Sequence, residues 1–297
     1  MSCIYAIENG YLKVSVNSFG GCLTSIIDKK NNDKELLYQV DERSWHSQDV
    51  VIFPLVGRIR DGKYSVDGKF YSLKSHGVAR YSEFEVKEKS KEEITLSLIY
   101  SEESLLSYPF KFELNITYSV KNNVLNVIRT VKNLDDKDIY FYIGSHPALK
   151  VSGKENKEEF VFNNVYLDFE KDIDTEQYLL NKDGNLLTGE EEKVKLNKIL
   201  LTKDLINKYQ TIIYNAKDIN KVRLITKDYD FMFYLLNDSY LAVWSKPGLG
   251  DFVCVEPWSG VTDSEKAPYE ISQKPFINKL PINSIHKSGY SLEINKK

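Results

Sequence analysis

Cysteine is scarce in this chain: Cys3, Cys22 and Cys254 are the only three in 297 residues. Their number is odd and no Cys-x-x-Cys spacing occurs, which argues against a disulfide framework and a thiolate zinc site and suits a reducing cytoplasm. Histidine is nearly as rare, with four residues and no pair at i, i+4, so the spacing of a helical metal site is missing as well. The formal net charge is only -3, which leaves no basic footprint for nucleic acid. The longest apolar run, Val50 to Val56, is far shorter than the roughly 20 residues of a membrane-spanning helix. No basic start followed by an apolar segment marks a signal peptide. A Gly-x-Ser-x-Gly elbow and a Gly-rich phosphate loop are both lacking, which argues against a serine nucleophile and a nucleotide cradle. The expectation is a cytoplasmic chain with no metal or other cofactor and no nucleic-acid or membrane partner. In that setting Asn115-Ile116-Thr117 and Asn237-Asp238-Ser239 match the glycosylation sequon by chance.

What the chain has in quantity is aromatic residues, with 20 Tyr and 14 Phe against 2 Met. Tyr and Phe favour strands and the walls of polar-ligand sites. Tyr11 to Asn17 alternates apolar and polar residues, the period of a half-buried strand, and Gly20-Gly21 turns it towards Cys22 to Ile27. Asp67-Gly68, between Tyr64 to Val66 and Phe70 to Leu73, predicts a two-residue hairpin. Further strands are expected at Phe84 to Val86, Ile94 to Tyr100, Phe110 to Val120 and Val124 to Val131, the last two joined by Asn122-Asn123. More follow at Ile139 to Ile143, Phe160 to Phe162, Thr211 to Tyr214, Lys221 to Thr226, Phe231 to Leu236, Leu241 to Trp244 and Ser291 to Ile294. Only Thr202 to Lys208, opened by a Thr cap, reads as helix. The charged run Lys150 to Glu159 and the acidic patch Glu190 to Glu192 read as solvated loops. No linker and no fixed-period repeat divides the chain, so residues 1–297 are expected to form one all-β domain, a large antiparallel β-sandwich.

Chemistry concentrates in three places. Val253 to Val255 reads as the end of a buried strand, followed at once by Glu256, and Pro257 is expected to stop that strand or place it at an edge. A carboxylate is thereby held beside Trp258, an arrangement that suits a sugar: the C–H face of the ring on indole, the hydroxyls on the acid. The same stretch also fits a strand-end Glu in a salt bridge beside an ordinary core Trp. His76, in Ser75-His76-Gly77-Val78-Ala79-Arg80, and His146, in Gly144-Ser145-His146-Pro147, both occupy strand-to-loop junctions where a side chain can face a cleft. His46 and His286 have no such frame and read as ordinary surface or core residues. One acid and one or two histidines point to proton transfer without a covalent intermediate.

These motifs, in this order, resemble the aldose 1-epimerase (galactose mutarotase) family in its shorter LacX-like branch. Leu12 to Leu23 is similar to the family's first hairpin and Phe53-Pro54-Leu55-Val56-Gly57-Arg58-Ile59 to its Gly-Arg-Ile region. Ser75 to Arg80 and Gly144 to Pro147 resemble its two histidine motifs, and Val255 to Gly260 the terminal acid motif of the branch. The resemblance implies a β-sandwich that interconverts α and β anomers of an aldohexose. It implies that Glu256 takes the proton of the C1 hydroxyl, that His146 protonates the ring oxygen, and that His76, Arg58 and Trp258 hold the sugar. The longer galactose enzymes carry a further Asp before the final Glu. Asp228 and Asp230 lie in roughly that region without a matching pattern, so neither is assigned. Three alternatives stay open: a hexose-phosphate mutarotase using Arg58, Arg60 or Arg80, a non-catalytic sugar-binding or regulatory protein on the same fold, and a glycoside hydrolase. A hydrolase would need a second carboxylate about 5–10 Å away, and none stands out.

Overall fold

The structure, a computed structural model, describes residues 2–41, 44–151, 164–246 and 251–297. Turn chemistry sets its local pairing. Asp67 and Gly68 adopt φ of 51° and 78°, and Lys63–Val66 pairs with Lys69–Ser72 across them. Positive φ at both central residues matches the twist of a two-residue hairpin, the reason Asp-Gly is favoured there. Asn122, at φ 51°, closes the hairpin of Phe112–Lys121 and Val124–Asn133, whose residues alternate between buried and part-exposed. That period of two follows from the pleat, which sends successive side chains to opposite faces.

Among the described residues the strands assemble into a 4-stranded N-terminal sheet and a 15-stranded antiparallel sheet, with two small two-stranded ribbons. The large sheet begins at Val51–Ile52 and runs through Gly144–Ser145, Phe252–Trp258, Tyr240–Trp244, Thr211–Asn215 and Tyr166–Leu180. It continues through Lys221–Ile225, Tyr229–Leu236, Ile285–Lys296 and Val124–Asn133, and ends at Glu85–Lys89. Its two halves face each other, because the Arg129 side chain, far along this order, reaches the carbonyl of Pro257 near its start. One apolar cluster fills the space between, including Leu125, Val127, Phe231, Leu292, Val253 and Val255. The chain is thus the all-β antiparallel sandwich that its period-two segments predict.

Several elements differ from expectation. Phe252–Trp258 does not stop at Pro257 and is no edge strand: all seven residues are buried and strands flank it on both sides. Proline is tolerated because the flanking strand is itself broken between Gly144–Ser145 and Ala148–Lys150, so the missing N–H opposes no continuous ladder. Glu190 to Glu192 lies in the strand Leu187–Leu200, paired with Tyr166–Leu180, and is not a loop. The helix Lys203–Tyr209 forms as predicted, Thr202 Oγ1 accepting from the Leu205 amide. A four-residue helix, Glu102–Leu105, went unread. Ile139 to Ile143 narrows to a strand at Ile139–Phe141. Phe160 to Phe162 and nearly all of Lys150 to Glu159 lie outside the described residues.

Candidate functional site

Register brings the acid motif to the second histidine. Gly144 pairs with Trp258 and Ala148 with Cys254, so the same alignment sets His146 opposite Glu256, at the break before Pro147. Alternation then fixes a face. Cys254, Glu256 and Trp258 share it, flanked on the other side by Trp244 and Ala242. Gly144 is needed because a Cβ there would lie 2.5 Å from Trp258 Cδ1. Without that Cβ the indole lies against the strand beside the carboxylate.

His146 Nε2 stands 3.2 Å from Glu256 Oε2, with side-chain exposures of 10% and 1%. The angles of this contact make no hydrogen bond. Both Glu256 oxygens, His146 Nδ1 and Trp258 Nε1 are buried without a well-formed hydrogen bond among the described residues, although the Trp258 indole lies close enough to Glu256 to favour its carboxylate. Native proteins rarely leave such groups orphaned, so this cluster marks the place where polar ligand atoms belong. Burial, then the Asp49 carboxylate, pushes Glu256 well above the usual carboxylate range. Burial, then His76 and Arg80, pushes His146 well below the usual imidazole range. Both shifts favour the neutral forms, the carboxylic acid of Glu256 and the unprotonated imidazole of His146.

Two neighbours fix the pair from the sides. Asp49 accepts from the His146 amide at 3.2 Å and the Leu23 amide at 3.0 Å. Burial raises its carboxyl to about 6. His76 stands at φ 66°, a strained conformation for a residue with a side chain, and Gly77 follows at φ 85°, which glycine adopts freely; the turn swings the imidazole into the site. A Cβ on Gly77 would lie 2.1 Å from the Phe53 carbonyl oxygen, so no other residue fits that turn. His76 Nδ1 accepts from the Gly57 amide at 3.3 Å, which leaves Nε2 as the donor. Burial, then Arg80, lowers His76 to about 3, so it is a neutral donor at any physiological pH. Its ring meets that of His146 edge-on, with centroids 5.6 Å apart.

A cavity of about 190 Å³ opens over this face, and Arg58, His76, His146, Glu256 and Trp258 all line it. It is smaller than the roughly 300–1,000 Å³ of drug-sized sites, a scale suited to one small polar ring. Arg80 lines it too, whereas Arg60 turns away to the Ala267 carbonyl and the Tyr269 ring. Asp230 is held by Arg223 and Asp228 by Lys34, and neither reaches the cavity. His46 is exposed and His286 packs against Phe141, both away from the site. Sequence reasoning missed Trp45, which stacks on His146 with centroids 4.8 Å apart. It passed over the role of Trp244, whose ring meets His146 edge-on at 5.6 Å. The tip of the Tyr166–Leu180 and Leu187–Leu200 hairpin also walls the cavity, through Leu180, Gly184 and Asn185. Thr262 Oγ1 joins this tip to the first motif, donating within 2.9 Å of the carbonyls of both Arg58 and Asn185.

His146, Cys254 and Glu256 are the grouping among the described residues that could hold a metal, their ligand atoms lying within 4.8 Å of one another. Burial, then Glu256, raises the Cys254 thiol well above its usual range, which disfavours the thiolate such a site would use.

The aldose 1-epimerase family matches residues 4–270 of this chain. Protein LacX (chromosomal) of Lactococcus lactis subsp. lactis is 26% identical over 299 aligned residues, covering 95% of this chain and 96% of the relative. The X-ray structure of a galactose mutarotase related enzyme from Lactobacillus acidophilus superposes with a TM-score of 0.89 at 29% identity, covering 99% of this chain and 97% of the other. A galactose mutarotase-like protein from Lactobacillus casei ATCC 334 gives the same TM-score at 25% identity, covering 99% and 100% of the two chains. With the family's match spanning most of its length, the chain is a member of the aldose 1-epimerase family.

Proposed function

We propose that this protein is a mutarotase that opens and recloses the ring of an aldohexose, with Glu256 and His146 as the proton-transferring pair. The observation that carries the reading is the 3.2 Å approach of two buried, otherwise unpartnered titratable groups on the cavity wall. Ring opening takes a proton from O1 and delivers one to O5. Both oxygens are bonded to C1, so an acid and a base side by side can serve them together. Sugar hydroxyls supply the hydrogen bonds that the Glu256 oxygens lack, which stabilises the carboxylate and moves the shared proton to His146. Glu256 then takes the O1 proton while His146 gives its own to O5. After rotation about C1–C2 the roles reverse, and closure restores the pair. His76 donates from Nε2, Arg58 hydrogen-bonds the sugar at the rim, and Trp258 offers its indole to the ring. No step needs a metal or an organic cofactor.

A phosphorylated hexose is the second reading, favoured by Arg58 and Arg80 both lining the cavity. Polarimetry on freshly dissolved α-glucose, α-galactose and their 6-phosphates, with and without a chelator, tests both readings. Faster rotation than the spontaneous rate on the free sugars, unchanged by the chelator, is expected. A preference for a 6-phosphate by two orders of magnitude would assign Arg58 and Arg80 to phosphate. Loss of activity with the chelator would assign a metal to the site.

A further inference from the structure

Arg129 is fully buried behind the wall that carries Glu256 and His146. Its Nη1 donates to the Pro257 carbonyl at 3.0 Å and to Ser145 Oγ at 3.3 Å. Its Nη2 donates to the carboxylate of Asp238, which is also buried. Pro257 follows Glu256 and Ser145 precedes His146, and alternation turns both towards the core while their neighbours face the cavity. A single planar guanidinium therefore ties the base's strand to the acid's strand from behind. It does so where the two lack a continuous ladder, between the Gly144–Trp258 and Ala148–Cys254 pairings. The planar fork of arginine suits this position, since a lysine is a point charge and could not hold three acceptors in one plane. Asp238, in the chance sequon Asn237-Asp238-Ser239, is the counter-ion that keeps the guanidinium in place. A buried ion pair adds little net stability over apolar residues of the same size, so its presence here calls for a positional reason.

We propose that Arg129, held by Asp238, is the positioning residue that sets the separation of His146 and Glu256; this rests on reading those two as the acid–base pair. The test is the double variant Arg129→Met/Asp238→Leu, which removes both charges and leaves neither orphaned. Two readouts are taken: kcat and KM by polarimetry, and the His146–Glu256 separation in a crystal structure. We expect the separation to change by about 1 Å and kcat to fall about 10²-fold with KM little changed, the penalty of a misplaced catalytic group. An unmoved pair, or an unchanged kcat in an active background, overturns the proposal. If the unmutated protein turns over no aldose, the functional reading fails by itself, and the separation alone decides the positioning role. Should the double variant not fold, Arg129→Lys is measured in the same two ways: a shifted pair with lowered kcat supports the proposal, and an unmoved pair or unchanged kcat overturns it.

Discussion

Two parts of the same antiparallel sheet are built on opposite terms. Phe252–Trp258 buries all of its residues. Leu187–Leu200 buries only Leu187 and Leu196, and its hairpin partner Tyr166–Leu180 buries only Leu167, Phe169, Ile173 and Gln177. Its charges meet in solvent-facing pairs, Lys195 with Asp172 within the hairpin and Glu170 with the half-exposed Lys221 of the neighbouring strand. Such pairs contribute little, about 0–1 kcal/mol each, so the ladder and the few residues it buries, Leu167, Phe169, Ile173, Leu187 and Leu196, carry the hairpin. Yet both regions reach the same cavity, one with the reactive groups and the other with the residues of its tip. Under the proposed function the difference would separate two jobs, with the buried strand setting turnover and the open hairpin setting what fits.

The largest effect should come from breaking the buried side. His146→Asn is expected to lower kcat about 10³-fold, within the range for general acid–base catalysis. Adding Glu256→Gln should cost little more, because groups that act as one unit are not additive. Stopped-flow polarimetry on the single and double variants decides this. Fully additive losses would mean that the two side chains act independently.

Acidity offers the next test. The His146 imidazole is lowered and the Glu256 carboxyl raised, so the singly protonated pair should persist over a broad range. Below it, a second proton is taken up by His146, and kcat/KM should fall only at a pH well under 6.5. Above it, the last proton leaves Glu256, and activity should fall again. Rates corrected for spontaneous rotation at each pH give the profile. An acid limb above pH 6.5 would contradict these directions.

Gly144→Ala sharpens the same side. The added methyl meets Trp258 at 2.5 Å, and overpacking of this kind costs about 1–3 kcal/mol. Urea unfolding should register that loss, and kcat should fall with it as the indole is displaced.

On the open side the expected effects are smaller and of another kind. Gly184 stands at φ 65°, and a Cβ there would meet the Gln210 side chain. Gly184→Ala should therefore shift the hairpin tip and raise KM while leaving kcat nearly unchanged, as loss of uniform binding does. Lys195→Ala should change stability by no more than about 0.5 kcal/mol in urea and leave both kinetic constants alone. A kcat effect from either substitution would erase the division of labour.

The same contrast explains what could be read from the sequence. Period-two burial left its mark in Phe112–Lys121 and Val124–Asn133, and the all-β sandwich was legible from such segments. The long hairpin left less of it, since the stretch from Gly189 to Lys193 is exposed on both faces and nothing there excludes charge, and Glu190 to Glu192 then resembled a loop. Pro257 misled because a local rule met a non-local exception, a gap in a strand more than a hundred residues away. His76, His146, Glu256 and Trp258 stood out because turn residues or prolines frame the motifs around them, whereas Arg58 stood out only through the family resemblance of its Gly-Arg-Ile region. Trp45, Asp49 and Arg129 did not, because they act through contacts with residues distant in sequence and sit in no punctuated motif. Trp45, next to the unframed His46, is the residue there that lines the site.

The most direct test of the acid–base pair is Glu256→Gln, which keeps the shape of the side chain and removes its capacity to take a proton. Polarimetry on α-glucose and α-galactose would be paired with calorimetric sugar binding on the same preparation. Binding is expected to persist while rotation falls to near the spontaneous rate. Near-normal turnover by Glu256→Gln would contradict the role of Glu256 as the base.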